Sequence, residues 1–266
     1  MLKKSPAIYA VVYLVFLYLP IFFLPLFSFN DAVVVAFPLK GFTTKWYEAL
    51  LGAEVLQQAV WNSLKVAVSA SIASTILGIL AARAVTRYDF PGRKPMTGFM
   101  MVPLVLPEII VGISLLIILV QSGIGLSLFS VMLGHTLLCI PFSTAVLISS
   151  FDGFDRSLEE ASLDLGETPL VTFFRVTLPL VLPGIISSLL ITFTISLDEF
   201  IVAFFLTGTE PTLPIYIWGQ LRFPAKIPGI LALGSLLLAA SFILLCGAEM
   251  LRRKTQRNTN QTGGLT

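Results

Sequence analysis

The chain has 266 residues, of which 56% are hydrophobic and only 12% charged, with a mean hydropathy of +0.92. A soluble domain carries about 25% charged residues, so a water-facing fold of this composition would expose far more apolar surface than monomers tolerate. The formal net charge of +2 offers no basic face for nucleic acid. A single histidine, His135, argues against a His-based metal site or triad, and Cys139 and Cys246 lie in apolar runs with no paired spacing. The composition is that of an all-α integral membrane protein.

A helix needs about 20 apolar residues to cross the hydrocarbon core. The first uncharged run, Ser5 to Asn30, follows Lys3 and Lys4. It exceeds the roughly 7–15 residues of a signal-peptide core and ends without a small-residue cleavage site, so it reads as a retained span over 7–29. A second span is expected over 59–82, with Lys65 snorkelling to the interface. From Pro95 to Phe151 only Glu108 is charged, which is length for two spans, 96–121 and 126–150, divided at Gln121-Ser122-Gly123-Ile124-Gly125. A fifth, 180–206, is interrupted by Asp198 and Glu199, and a sixth, 227–248, stops at Glu249. The spacing therefore predicts six spans in one domain over 5–250, with short ends at 1–4 and 251–266.

Lysine and arginine bias sets the orientation. With the N-terminus inside, the inner segments hold Lys3, Lys4, Arg83, Arg87, Arg93, Lys94, Arg156, Arg175 and the tail cluster Arg252, Arg253, Lys254 and Arg257. Outside are Lys40, Lys45, Lys65, Arg222 and Lys226. Both termini are expected in the cytoplasm, and Trp46 and Tyr47 are candidate interfacial anchors on the outer loop.

The inner loop 152–178 is too long and too acidic for a connector, carrying Asp152, Asp155, Glu159, Glu160, Asp164 and Glu167. Ser157 followed by Glu160 has the form of a capping box opening a helix over 158–165, with Gly166 suited to the left-handed position after it. Thr168-Pro169 then restarts a helix that should stop near Thr177, ahead of Pro179. Ala161 and Ser162 would let another surface approach closely. The alternative is an amphipathic loop lying on the membrane.

These residues carry a family resemblance. Glu160-Ala161-Ser162, Gly166 and Val176-Thr177-Leu178-Pro179 resemble the EAA signature of ABC-importer permeases, with Ser162 and Val176 as conservative departures. The likeness runs from about Tyr9 to Arg253, and Ser28-Phe29-Asn30-Asp31, Asn62-Ser63-Leu64 and Ser196-Leu197-Asp198-Glu199-Phe200 are similar to the second permease of spermidine/putrescine importers. The resemblance implies a type I ABC importer permease fold in a bacterial inner membrane. It also implies a coupling helix that docks on an ATPase through Glu160, Ala161, Ser162, Gly166, Leu178 and Pro179. The implied partners are a second homologous permease, two ATPases carrying ATP and Mg, an extracytoplasmic binding protein, and lipid. Near Arg222–Gly229 the sequence Phe-Pro-Ala-Lys-Ile-Pro departs from the acidic, glycine-containing run of that family.

The chain has no Gly-Lys dipeptide and hence no P-loop, so ATP hydrolysis is expected on a separate subunit, and no cofactor is expected here. Glu108, Asp198 and Glu199 fall at predicted membrane depth, where a carboxylate costs about 2.5–3.5 kcal/mol and usually faces a bundle interior or watery path. Helical geometry groups Ser188, Thr192 and Glu199 in a polar stripe. Two roles fit these carboxylates: a passage for a small cation such as a polyamine, or structural groups at helix breaks. Two other functions fit less well. An ion-coupled secondary transporter using Glu108 and Asp198 leaves the inner loop unexplained. A membrane-embedded enzyme lacks a nucleophile or metal cluster.

Overall fold

The computed structural model describes residues 5–243. The segments 1–4 and 251–266, and the end of the sixth predicted span with Cys246 and Glu249, lie outside the described residues. Every regular element described is helical, and one isolated antiparallel bridge joins Asn30 to Phe42. Helices are what a hydrocarbon solvent demands, because each satisfies its backbone N–H and C=O groups within its own segment. Five are long and apolar enough to span: Ile8–Ser28, Glu54–Arg87, Leu128–Asp152, Pro169–Asp198 and Pro224–Ile243.

The chain divides into two compact units, Met1–Glu54 with Ile217–Thr266, and Val55–Tyr216. In the first, α1 (Ser5–Ser28) leads into a braced loop before α2 (Lys45–Leu51). Trp46 donates its indole N–H to the Asn30 carbonyl at 2.9 Å, and Tyr47 shares a 2.6 Å hydrogen bond with Ser28. Asn30 in turn accepts from the Lys40 N–H, and Lys45 pairs with Asp31. The two aromatic side chains expected as interfacial anchors thus also fasten the loop to the end of α1.

The second unit contains α3 (Glu54–Arg87), longer at both ends than expected, and α7 (Leu128–Asp152). The third expected span is not one helix. It is built of α4 (Arg93–Met100), α5 (Val102–Val105) and α6 (Glu108–Gln121). Two prolines account for the breaks. Pro103 occupies the first turn of α5, and Pro107 leaves Leu106 extended, as a residue before proline prefers. The fifth is broken too: α10 (Leu178–Asp198) ends at the extended Glu199, and α11 (Ile201–Leu206) begins after Phe200. Asn62 and Ser63 of α3 then hold the segment entering α12 (Leu213–Leu221), through the Pro211 carbonyl at 3.1 Å and the Leu213 N–H at 2.7 Å.

Helix contacts in this unit rest on small residues, which let backbones approach where lipid supplies no hydrophobic drive for association. A Cβ on Gly78 of α3 would lie 2.1 Å from the Ser143 hydroxyl of α7, and one on Gly184 of α10 would lie 2.3 Å from that of Ser150. At the same level Ser188 donates to Ser143 at 2.8 Å and bonds Thr75 at 3.0 Å, tying α3, α7 and α10. Two apolar clusters flank these contacts. One gathers Val111, Val131, Val202 and Leu206, and the other Ala82, Leu147, Phe151 and Val181. Replacing Gly78 by valine should separate α3 from α7 and cost about 1–3 kcal/mol, the usual penalty of overpacking. A lowered unfolding midpoint of the purified protein in detergent would register it, and an unchanged midpoint would contradict the close approach.

Candidate functional site

The acidic loop forms a helix, α8 (Ser157–Asp164), but not by the expected cap. No Ser157–Glu160 box is present; the first helical residue is Ser157, whose N–H donates to the Asp155 carboxylate at 2.9 Å. That bond, then one with the Ser157 side chain, holds the Asp155 carboxyl below the usual carboxylate range. Asp155 therefore supports the helix start at neutral pH, and that support is lost as pH falls through its depressed pKa. The C-terminal end matches expectation. Gly166 sits at φ +90°, its N–H reaches the Leu163 carbonyl, and the Glu167 N–H reaches that of Ser162, the paired bonds of a Schellman cap.

Thr168 caps the next helix as expected, accepting from the Val171 N–H, with Pro169 in its first turn. The expected stop near Thr177 does not occur. The helix α9 (Pro169–Thr172) widens into a π turn, Phe173–Thr177, and continues into α10. Proline forces this detour: Pro179 has no N–H to give and its ring clashes with a carbonyl four residues back in a regular α-helix. The wider i→i+5 turn leaves it room.

Of the residues expected to dock a partner, Glu160 and Ala161 are exposed, and Glu160 meets Arg156 at 3.1 Å on the surface. Ser162 instead turns inward and shares a 3.0 Å hydrogen bond with Thr172. Nothing lies within 4 Å of a Cβ placed on Gly166. Leu178 and Pro179 stand beyond the π turn in the first turn of α10, Pro179 exposed and Leu178 half-buried. Sequence reasoning passed over Leu165 and Leu170, apolar side chains left 86% and 66% exposed before and after Gly166 in the chain. An uncovered leucine on each side of a glycine turn was the available signal.

It also passed over Glu159, the buried neighbour of Glu160. Its carboxylate pairs with Arg87 at 2.6 Å and accepts from Thr177 at 2.5 Å. Arg83, one turn earlier on α3, covers the Phe173 ring at 4.6 Å. A cavity of about 250 Å³ lies between Arg83, Arg87, Glu159 and Glu160.

The three membrane-depth carboxylates occupy helix ends. Glu108 is exposed in the first turn of α6, Asp198 is exposed at the end of α10, and half-buried Glu199 accepts from the Val202 N–H at 2.8 Å. Packing of α11 on α6 brings Glu199 within Coulombic range of Glu108. The expected polar stripe does not line a path with them. Ser188 and Thr192 are fully buried in helix packing, and Glu199 lies past the helix end, where helical register no longer applies. His135 is buried and bonds Ser196 through Nδ1 at 2.8 Å.

The fold recurs in a solved structure. Over 92% of this chain and 95% of the other, it superposes at a TM-score of 0.75 and 14% identity on a bacterial ABC transporter involved in the import of the acidic polysaccharide alginate. The fold is thus that of an ABC-importer membrane subunit. Residues 74–257 match the binding-protein-dependent transport system inner membrane component. The chain is 34% identical over 255 residues to the spermidine/putrescine transport system permease protein PotC of Escherichia coli (strain K12), covering 95% of this chain and 94% of that protein. It is 37% identical over 233 residues to the putrescine transport system permease protein PotI of the same strain, covering 85% and 82%. The chain belongs to the family of binding-protein-dependent transport permeases, and is a multi-pass membrane subunit of an ABC importer.

Gly166→Val should strain the left-handed position by about 1–2 kcal/mol. Amide exchange in α8 should quicken while that of α3 holds, and unchanged protection of α8 would rule out the cap as its stop.

Proposed function

We propose that this chain is one of two homologous six-span permeases of a type I importer for a polyamine, spermidine or putrescine. The observation that carries the substrate class is near-full-length identity of 34–37% to permeases of spermidine/putrescine and putrescine systems. In this reading the domain over 5–250 has six crossings. The five long helices supply five, and α4, α5 and α6 in series over 93–121 supply the third in chain order. Both termini, 1–4 and 251–266, are cytoplasmic, so the 152–178 loop faces the cytoplasm.

Two ATPase subunits, carrying ATP and Mg, dock on that loop and its counterpart in the second permease. Glu160, Ala161, Gly166 and exposed Leu165 form the contact on this side, with Ser162, Leu178 and Pro179 shaping the segment behind it. ATP-driven closure of the ATPases rocks the bundle between its two open states, which requires different ATPase affinities in those states. An extracytoplasmic binding protein delivers the solute. Glu108, Asp198 and Glu199 face the passage between the permeases and replace part of the hydration shell of the polyamine ammonium groups; the exposure of Glu108 and Asp198 at helix breaks supports this. Membership of the binding-protein-dependent transport family supports this reading over the ion-coupled alternative.

Purification of the tagged chain from cells expressing its native neighbours should yield one different permease and two ATPase copies. Recovery alone or as a homodimer would refute the assembly. Glu160→Lys should remove the ATPases while keeping the permease pair, and normal uptake in that variant would sink the docking assignment. In vesicles loaded with binding protein, Glu108→Gln with Asp198→Asn should cut labelled spermidine uptake at least tenfold with assembly intact. Undiminished uptake would assign these carboxylates to structure.

A further inference from the structure

Four elements meet at one ion pair. Arg87 is the last residue of the 34-residue α3. Its Nε donates to the Glu159 carboxylate of α8 at 2.6 Å, and its terminal nitrogen donates to the Phe151 carbonyl, at the end of α7, at 2.9 Å. The Phe154 ring lies 4.5 Å beneath it. The second Glu159 oxygen accepts from Thr177, where the π turn enters α10. Both partners of the ion pair are nearly closed off, with side chains 11% and 12% exposed.

The rest of α8 has no comparable anchorage. Its remaining ion pair, Arg156–Glu160, is within the helix N-terminal region and about 60% exposed, so it holds the helix to nothing else. Ser162 ties it only to the short α9, by a single hydroxyl bond. Glu167 and Arg175 pair within the loop and are exposed. A displacement of α8 therefore reaches α3 and α7 through Arg87 and Glu159, and reaches α10 both through the backbone and through Glu159. A charge-assisted pair with a planar fork resists shear and rotation in a way that apolar contact does not.

Building on the docking reading above, we infer that Arg87 and Glu159 are the positioning residues that transmit movement of the docking helix to the ends of α3, α7 and α10. Glu160, next to Glu159 but turned outward, meets the ATPase; Glu159 passes the displacement on. The two adjacent carboxylates divide the work of coupling between an outer and an inner face of one short helix.

The test separates transmission from mere stability. Loss of one partner leaves a buried charge unpaired and lowers stability whatever the role. Replacing both by leucine removes that penalty, since a buried ion pair exchanged for apolar groups of similar volume is often neutral in stability. In the reconstituted complex with binding protein, Arg87→Leu with Glu159→Leu should keep the wild-type subunit ratio and basal ATP hydrolysis. Stimulation of hydrolysis by loaded binding protein should disappear, and labelled spermidine imported per ATP should fall at least tenfold. Arg87→Lys, keeping charge without the fork, should fall between. A double-leucine complex importing spermidine at the wild-type ratio per ATP would overturn the inference. So would a double-leucine variant that fails to assemble while Arg87→Lys assembles and couples as wild type, because the pair would then be purely structural. Failure of the wild-type complex to bind ATPases or import spermidine would instead refute the functional reading beneath it.

Discussion

Inside hydrocarbon, apolar side chains gain nothing by leaving lipid for one another, so helices stay together only where their backbones come close and their polar atoms find partners. Here that condition is met chiefly along one seam. Gly78 admits Ser143, Gly184 admits Ser150, and the Ser143–Ser188–Thr75 hydroxyls bond across the three helices at that level. The apolar clusters around Val131 and Phe151 fill the space on either side of this seam. The broken helices pack by the same rule at a second place, α11 against α6 and α7, where Gly112 admits Phe205 and Gly134 admits Val202 and Leu206. At the level of the seam small residues and hydroxyls bring three helices into contact, while the large side chains Leu147, Phe151 and Leu206 are buried in the clusters beside them.

The structure uses proline to place chemistry. Pro103 and Pro107 divide what would be one crossing and set Glu108 at the start of a fresh helix. A helix N-terminus favours a carboxylate, through its free N–H groups and the positive end of the helix dipole. Glu199 has a related situation, since the Val202 N–H at the start of α11 donates to it. The cost of keeping charge at this depth is thus offset by backbone groups that the breaks themselves release.

Much of this was legible from residue patterns. Span positions follow from uncharged length, and the docking loop from its acids, its glycine and its Thr-Pro restart. What escaped sequence reading depends on partners distant along the chain. Glu159 and Glu160 are chemically identical, yet a step of one residue turns a helical side chain through about 100°. Only the fold, which brings Arg87 to one of them, decides which is buried. Ser188 and Thr192 carry the same ambiguity, since polar residues on a span suit a wet passage and a helix seam equally well. The Ser157 capping box failed because Asp155 lay two residues ahead with a competing carboxylate. The π turn was unforeseeable from local preference, because continuing the helix past Pro179 makes sense only with α10 already docked.

The π turn has a consequence for the length of the docking segment. A five-residue-wide turn holds one residue more than regular helix would need over the same rise, so Phe173–Thr177 stores a single extra step between Gly166 and Pro179. Removing one residue there would turn the α8 segment about 100° around the axis of α10. The number of residues separating the glycine from the proline is therefore an angular setting. Side chains in that interval hold the segment through the Thr168 cap and the Ser162–Thr172 and Glu159–Thr177 bonds, and the count sets which way the loop presents its carboxylates and leucines.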